Sequence, residues 1–138
     1  MARLLRPFEF FDPHTVDEAA GLLSKYGPNA KVLAGGVDLI PRMRKRILTP
    51  DYLISIKKIR ALDYNDFDPS TGLRFGALTT LRSLDQSMDI RNNYPALYEA
   101  VHQIASLQVK TTATATGNLC VASPASDIAV ALMALGGT

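Results

Sequence analysis

Between residues 15 and 26 the apolar positions recur with a helical period. Val16, Ala19, Ala20 and Leu23 fall at i, i+3, i+4 and i+7, which predicts one buried helix face. Thr15 and Glu18 frame its start as a capping box, and Gly27-Pro28 ends it. The residues before it read as an irregular start. Lys31 to Ala34 then reads as a short apolar strand broken by Gly35-Gly36. Asp38 can cap a second helix, with Pro41 in a first turn that does not need its N–H. Asp51 to Ile56 completes a strand–helix–strand unit, the arrangement of a parallel crossover.

From Asp63 to Ser70 the pattern turns acidic and polar, with Pro69 and Gly72 as turn residues, so a boundary between two lobes is expected near 57–62. The lobes are taken as residues 1–57 and 58–138. Leu73 to Leu78 reads as a strand and Leu81 to Gln86 as a short helix. Asn93-Tyr94-Pro95 opens a clearer helix with Leu97, Ala100, Val101 and Ile104 on one face. Thr111 to Thr116 alternates threonine and alanine, small residues that permit close approach to the backbone, and a loop follows at Gly117-Asn118. Ser123-Pro124 reads as N-cap and N1 of a last helix that is apolar nearly all round. Such a helix is expected to be deeply buried, in a core that something beyond these residues completes.

Composition narrows the function without naming it. The chain has 138 residues, 47% hydrophobic and 20% charged, as expected of an ordinary globular protein. A formal net charge of +2 is too weak to argue for nucleic acid, an anionic membrane or an acidic substrate, and no nucleic-acid partner is expected. Cys120 is the single cysteine, so no internal disulfide is possible, which suits a cytoplasmic location. Cys120 itself is expected to be a small buried filler. No membrane span and no signal-peptide run is read. His14 and His102 lack ligand-spaced companions, so no metal site is expected, and no catalytic pairing of Ser-His-Asp or Cys-His type is present. The cationic run Arg42, Arg44, Lys45, Arg46 is read as a solvated helix end favoured by the macrodipole.

Two glycine segments carry the candidate chemistry. Gly35-Gly36 stands between a strand and a helix start, where glycine lets backbone N–H groups face an anion without an intervening side chain. A tight strand-to-helix turn with no ligand is the other reading, and Gly117-Asn118 has the same two. Neither fits a Rossmann fingerprint or a Walker loop.

In order and context, however, the segments match a family pattern. Leu33-Ala34-Gly35-Gly36-Val37-Asp38-Leu39 resembles the first flavin loop, usually A-G-G-T-D-L, of the FAD-binding subunits of molybdenum hydroxylases of the carbon monoxide and xanthine dehydrogenase type. Thr114-Ala115-Thr116-Gly117-Asn118-Leu119 resembles the second, usually A-T-x-G-G-N-L. Ala122 to Asp127 matches A-S-P-x-x-D, and Gly76 to Thr80 matches G-A-x-T-T. Val37 replaces a threonine of that pattern, and Thr116 a glycine.

The resemblance implies an α+β fold of the family's FAD-binding type, with a small α/β lobe and the start of a second α+β lobe. It implies FAD in the cleft between them. Leu33, Ala34, Gly35, Gly36, Val37, Asp38 and Leu39 would form the first contact. Thr79, Thr114, Gly117 and Asn118 would form the second, with Ser123 and Asp127 beside them. It further implies an electron-transfer subunit of an oxidoreductase, working with an iron–sulfur subunit and a subunit carrying the molybdenum cofactor. Because the family's subunits are longer, the chain is expected to be a fragment, a truncated product or one piece of a split subunit, inactive alone and open to self-association through its carboxyl-terminal surface. The competing expectations are a remnant or assembly module that keeps the fold without flavin, and a small nucleotide-binding module outside redox chemistry.

Overall fold

A computed structural model describes residues 4–138. The chain divides into two compact units, Met1–Ala61 and Leu62–Thr138, where the sequence pattern suggested 57/58. Both mix helices and strands, and the fold is of the α+β class expected. No helix among the described residues is long and apolar enough to cross a membrane.

The first unit is built on a three-stranded parallel sheet of β1 (Glu9–Phe11), β2 (Ala30–Leu33) and β3 (Tyr52–Ser55), in the order β1-β3-β2. Glu9 pairs with Tyr52 and Phe11 with Ile54, while Ala30 pairs with Tyr52 and Leu33 with Ser55. The expected irregular start therefore contains a strand, three residues long and too short to show alternation. Leu53, Ile54 and Ser55 of the central strand are all buried, which is why its sequence runs apolar without alternating. Burying side chains such as Leu53 and Ile54 contributes about 1.5–3 kcal/mol each. Phe11, Tyr26 and Tyr52 stack, with 3.9 Å between the Tyr26 and Tyr52 ring centroids.

Helix α1 (Val16–Tyr26) starts as expected, with the Thr15 hydroxyl accepting from the Glu18 amide at 3.2 Å. The Glu18 carboxylate reaches back to the amide of His14 at 2.8 Å, one residue before the usual capping-box partner. Its inner face differs from the expected one. Ala19 is buried and Leu22, Leu23 and Tyr26 are half-buried, whereas Val16 and Ala20 are exposed. The buried stripe therefore begins at Ala19, about one turn later than the spacing predicts.

Helix α2 (Leu39–Arg44) ends in a Schellman arrangement: the Arg46 amide donates to Met43 O and the Ile47 amide to Arg42 O, both at 3.0 Å. Arg46 takes the left-handed position, with φ 59°, that glycine usually fills.

The second unit opens with a hairpin of β4 (Asn65–Asp68) and β5 (Gly72–Phe75), Asn65 opposite Phe75. The acidic stretch, in which the pattern showed no strand, thus supplies one, with the turn confined to Pro69–Thr71. The Asp68 carboxylate accepts from the Ser70 hydroxyl, the Ser70 amide and the Thr71 amide, and these bonds hold its carboxyl below the ordinary range.

Six short helices follow: α3 (Leu81–Asp85), α4 (Met88–Asn93), α5 (Pro95–Gln103), α6 (Leu107–Lys110), α7 (Ala115–Cys120) and α8 (Asp127–Ala134). In all but α5 a hydroxyl at the N-cap (Thr80, Ser87, Ser106, Thr114, Ser126) accepts from the amide three residues on. Their core is Leu81, Leu84, Ile90, Leu97, Val101, Ala115, Ile128 and Ala131. The Tyr94 hydroxyl accepts from the Leu73 amide at 3.0 Å and so ties the hairpin to α5.

Helix α8 is not deeply buried all round. Ile128 and Ala131 enter the core, while Val130 is 57% and Met133 71% exposed. Its apolar sequence exceeds what this unit covers.

Candidate functional site

The first candidate segment leaves β2 at Leu33 and enters α2 at Leu39. Gly36 sits at φ +77°, a conformation that side chains disfavour. A Cβ there would lie 2.8 Å from Leu33 Cδ1 and 3.3 Å from Ile40 Cγ1, so both backbone and packing call for glycine. Among the described residues, the amides of Gly35, Gly36, Val37 and Asp38 donate to no carbonyl or side chain. Consecutive unused N–H groups at a glycine turn suit an anionic group such as a phosphate. Asp38 occupies the N-cap position, but its side chain does not cap. It pairs instead with Arg42 at 3.4 Å, because its own helical backbone turns the carboxylate along the helix.

The second segment is not a loop. Gly117 and Asn118 lie inside α7, whose N-cap is Thr114. The Thr114 hydroxyl accepts from the Gly117 amide at 3.1 Å, and a Cβ on Gly117 would fall 2.6 Å from that oxygen. A Cβ here would have to displace the Thr114 hydroxyl from its cap. The Asn118 side-chain oxygen Oδ1 accepts from the Ser126 hydroxyl at 2.6 Å, linking α7 to α8. Ser126, not Ser123, caps α8: its hydroxyl accepts from Ala129 N at 3.2 Å, while Ser123 Oγ accepts from the Ala125 amide at 3.3 Å. Proline after serine was the misleading signal, and the pair Ser126-Asp127 just before the first buried residue, Ile128, was the better one. Asp127 stands exposed in the first turn of α8, where the macrodipole favours it. The side chains of this segment fit an anion less fully than the first, since most of their polar groups are spent on one another.

Thr79 lies inside the unit, 1% exposed. Its hydroxyl accepts from the Gly76 amide and donates to Tyr64 O, so it holds the approach to α3 and offers no free donor. Thr80 and Thr114 form a β-bridge, and Ala115 N donates to Thr79 O at 3.1 Å. Cys120 is exposed, not a buried filler, because α7 turns that position outward.

Sequence reasoning missed one cluster altogether. Lys110, buried at the end of α6, donates from Nζ to Asp85 Oδ2 at 3.2 Å and to His102 O at 2.6 Å. Asp85 Oδ1 lies 2.8 Å from His102 Nδ1. Burial pushes the Asp85 carboxyl up, but hydrogen bonds and charge from His102 and Lys110 outweigh it and hold the group below its ordinary value. The partners lie 17 and 25 residues away in sequence, a separation no local pattern records.

These two glycine segments, one leaving a parallel sheet and one inside a short capped helix, belong to a known kind of domain. Over residues 6–138 the chain matches the family described as the FAD binding domain in molybdopterin dehydrogenase, and it belongs to that family. It is 38% identical over 136 residues to the nicotinate dehydrogenase FAD-subunit of Eubacterium barkeri, covering 97% of this chain and 45% of that one. It is 37% identical over 120 residues to the carbon monoxide dehydrogenase medium chain of Hydrogenophaga pseudoflava, covering 87% and 42%. The solved carbon monoxide dehydrogenase from Oligotropha carboxidovorans superposes with a TM-score of 0.85 at 31% identity, over 91% of this chain and 43% of that one. The chain spans less than half the length of these relatives.

Proposed function

We propose that this chain is the FAD-holding part of an electron-relaying subunit in a molybdenum-containing hydroxylase or dehydrogenase. The observation that carries the reading is the run of four unused amides at Gly35–Asp38 around a glycine at φ +77°. In this reading Leu33 to Leu39 hold one phosphate region of FAD, mainly through backbone N–H groups. Thr114, Gly117 and Asn118, with Ser123 and Asp127, hold the remainder, and Thr79 supports that segment from within. The bound flavin supplies the electron transfer, and the chain's own residues bind it, orient it and shape its electrostatics. None of them is required to act as acid or base.

The partners in this reading are an iron–sulfur subunit and a subunit bearing the molybdenum cofactor, in the cytoplasm. The exposed apolar side chains of α8 are the surface through which the chain meets further protein or a second copy, which sedimentation of the purified chain tests.

A visible spectrum of the purified protein, with mass spectrometry of the heat-released cofactor, tests the main reading. FAD is the expected product, and recovery of FMN alone overturns it. The second reading, a fold retained without flavin, is favoured by the inward bonding of Thr114, Asn118 and Ser126. It predicts no flavin absorbance.

A further inference from the structure

Among the described residues Lys110 is the only buried lysine, with its side chain 6% exposed. Withdrawing an ammonium group from water is costly unless it gains partners of good geometry. A lysine at the end of a four-residue helix could reach solvent at no such cost. Here it is instead clamped between the Asp85 carboxylate and the His102 carbonyl, and no buried side-chain polar atom in the described structure lacks a partner.

What the clamp fixes is the run of chain just beyond it. Ala113 N donates to Val109 O at 2.8 Å, and Leu81 N donates to Ala113 O at 2.8 Å. With the Thr80–Thr114 bridge and the bond from Ala115 N to Thr79 O, these stitch residues 113–115 to the start of α3. Asp85, at the other end of α3, holds Lys110. Helix α3 thus holds the stretch 110–115 at two points, Lys110 through Asp85 at one of its ends and residues 113–115 at the other. A four-residue helix has too few internal bonds to keep its place alone.

Resting on the FAD-binding reading above, we infer that Lys110 is a positioning residue for the flavin segment Thr114–Asn118, acting through its clamp on Asp85 and His102. The clamp sets where α7 begins, and its loss lets that segment wander while the core around Leu97 and Val101 stays formed.

The test compares Lys110→Met with the double variant Asp85→Asn/Lys110→Met in the full chain. The single variant takes the lysine from the buried Asp85 carboxylate and leaves it only His102 and Arg82, so it lowers the unfolding midpoint as well as FAD affinity. The double variant removes both charges and is expected to regain most of the midpoint. It is still expected to bind FAD about tenfold more weakly than the native chain. Without flavin, its amides at 113–119 are expected to exchange about tenfold faster, while those of α5 are unchanged. A double variant that binds FAD within about twofold of the native chain overturns the inference. Should the native chain take up no FAD, the functional reading fails by itself. Amide exchange then decides the clamp, and unchanged protection at 113–119 overturns it.

Discussion

The two units place glycine at their candidate sites for different reasons. In the first, Gly36 is demanded by the backbone, at positive φ, and the surrounding amides are left unspent. In the second, Gly117 is favoured by a neighbour: the Thr114 hydroxyl occupies the space a Cβ would take. One segment is organised to offer donors outward, the other to satisfy itself. The contrast extends to construction, since a parallel sheet supports the first turn while hydroxyl-capped short helices support the second. It extends to charge as well. Residues 1–61 carry eleven Lys and Arg against six Asp and Glu, and residues 62–138 carry four against seven, so the modest overall charge conceals two units of opposite sign.

The largest effect that would break this contrast is at Gly36. Gly36→Val is expected to lose about 2 kcal/mol or more of stability, from the positive φ and the contact with Leu33, and to lose FAD with it. Denaturant unfolding and flavin content per folded molecule measure both. A variant of native stability would mean that the turn relaxes freely.

Next in size is the pair at α7. Gly117→Ala is expected to cost about 1–3 kcal/mol and Thr114→Ala about 1 kcal/mol. Because the alanine methyl and the hydroxyl compete for one space, the double variant is expected to cost less than the two together by about 1 kcal/mol. Additive losses would show that the cap and the glycine are unrelated.

A third expectation concerns acid. Asp85 has its pKa depressed on folding, so its contribution is complete above the unfolded carboxylate range, about pH 4, and is lost as pH falls through the folded value. Asp68 acts in the same direction. Asp85→Asn is expected to flatten the acid limb of a stability–pH profile, and an unaltered limb would refute its role.

The smallest effect is a gain: Arg46→Gly relieves the left-handed residue after α2 and is expected to add about 0.5–1 kcal/mol in the same unfolding assay.

What was legible in the sequence follows from how local its cause is. The start of α1 was readable because Thr15, Glu18 and the Gly27-Pro28 stop lie within fourteen residues of one another. The inward face of α5 was readable because Leu97 and Val101 repeat at helical spacing. Strand β4 was hidden because half its positions are aspartates facing solvent, and β1 because three residues show no period. The first segment lay where the glycines put it. The second was misread as a loop because helix α7 is stabilised by a threonine cap and by bonds to residues 79–81, not by an apolar stripe of its own. Buried Lys110 left no trace, since its partners lie on two other helices.

The strand order β1-β3-β2 has a consequence for synthesis. Neither β1 nor β2 has a strand beside it until β3 arrives, because the middle of the sheet is made last. A ribosome adding about 5–20 residues per second keeps Glu9–Phe11 waiting for several seconds before Tyr52–Ser55 clears the exit tunnel. During that interval the nascent chain presents two open strand edges, and Phe10 and Phe11 lie on one of them. The charged stretch Arg42–Arg46, which emerges just ahead of β3, adds like charge to the chain during that interval.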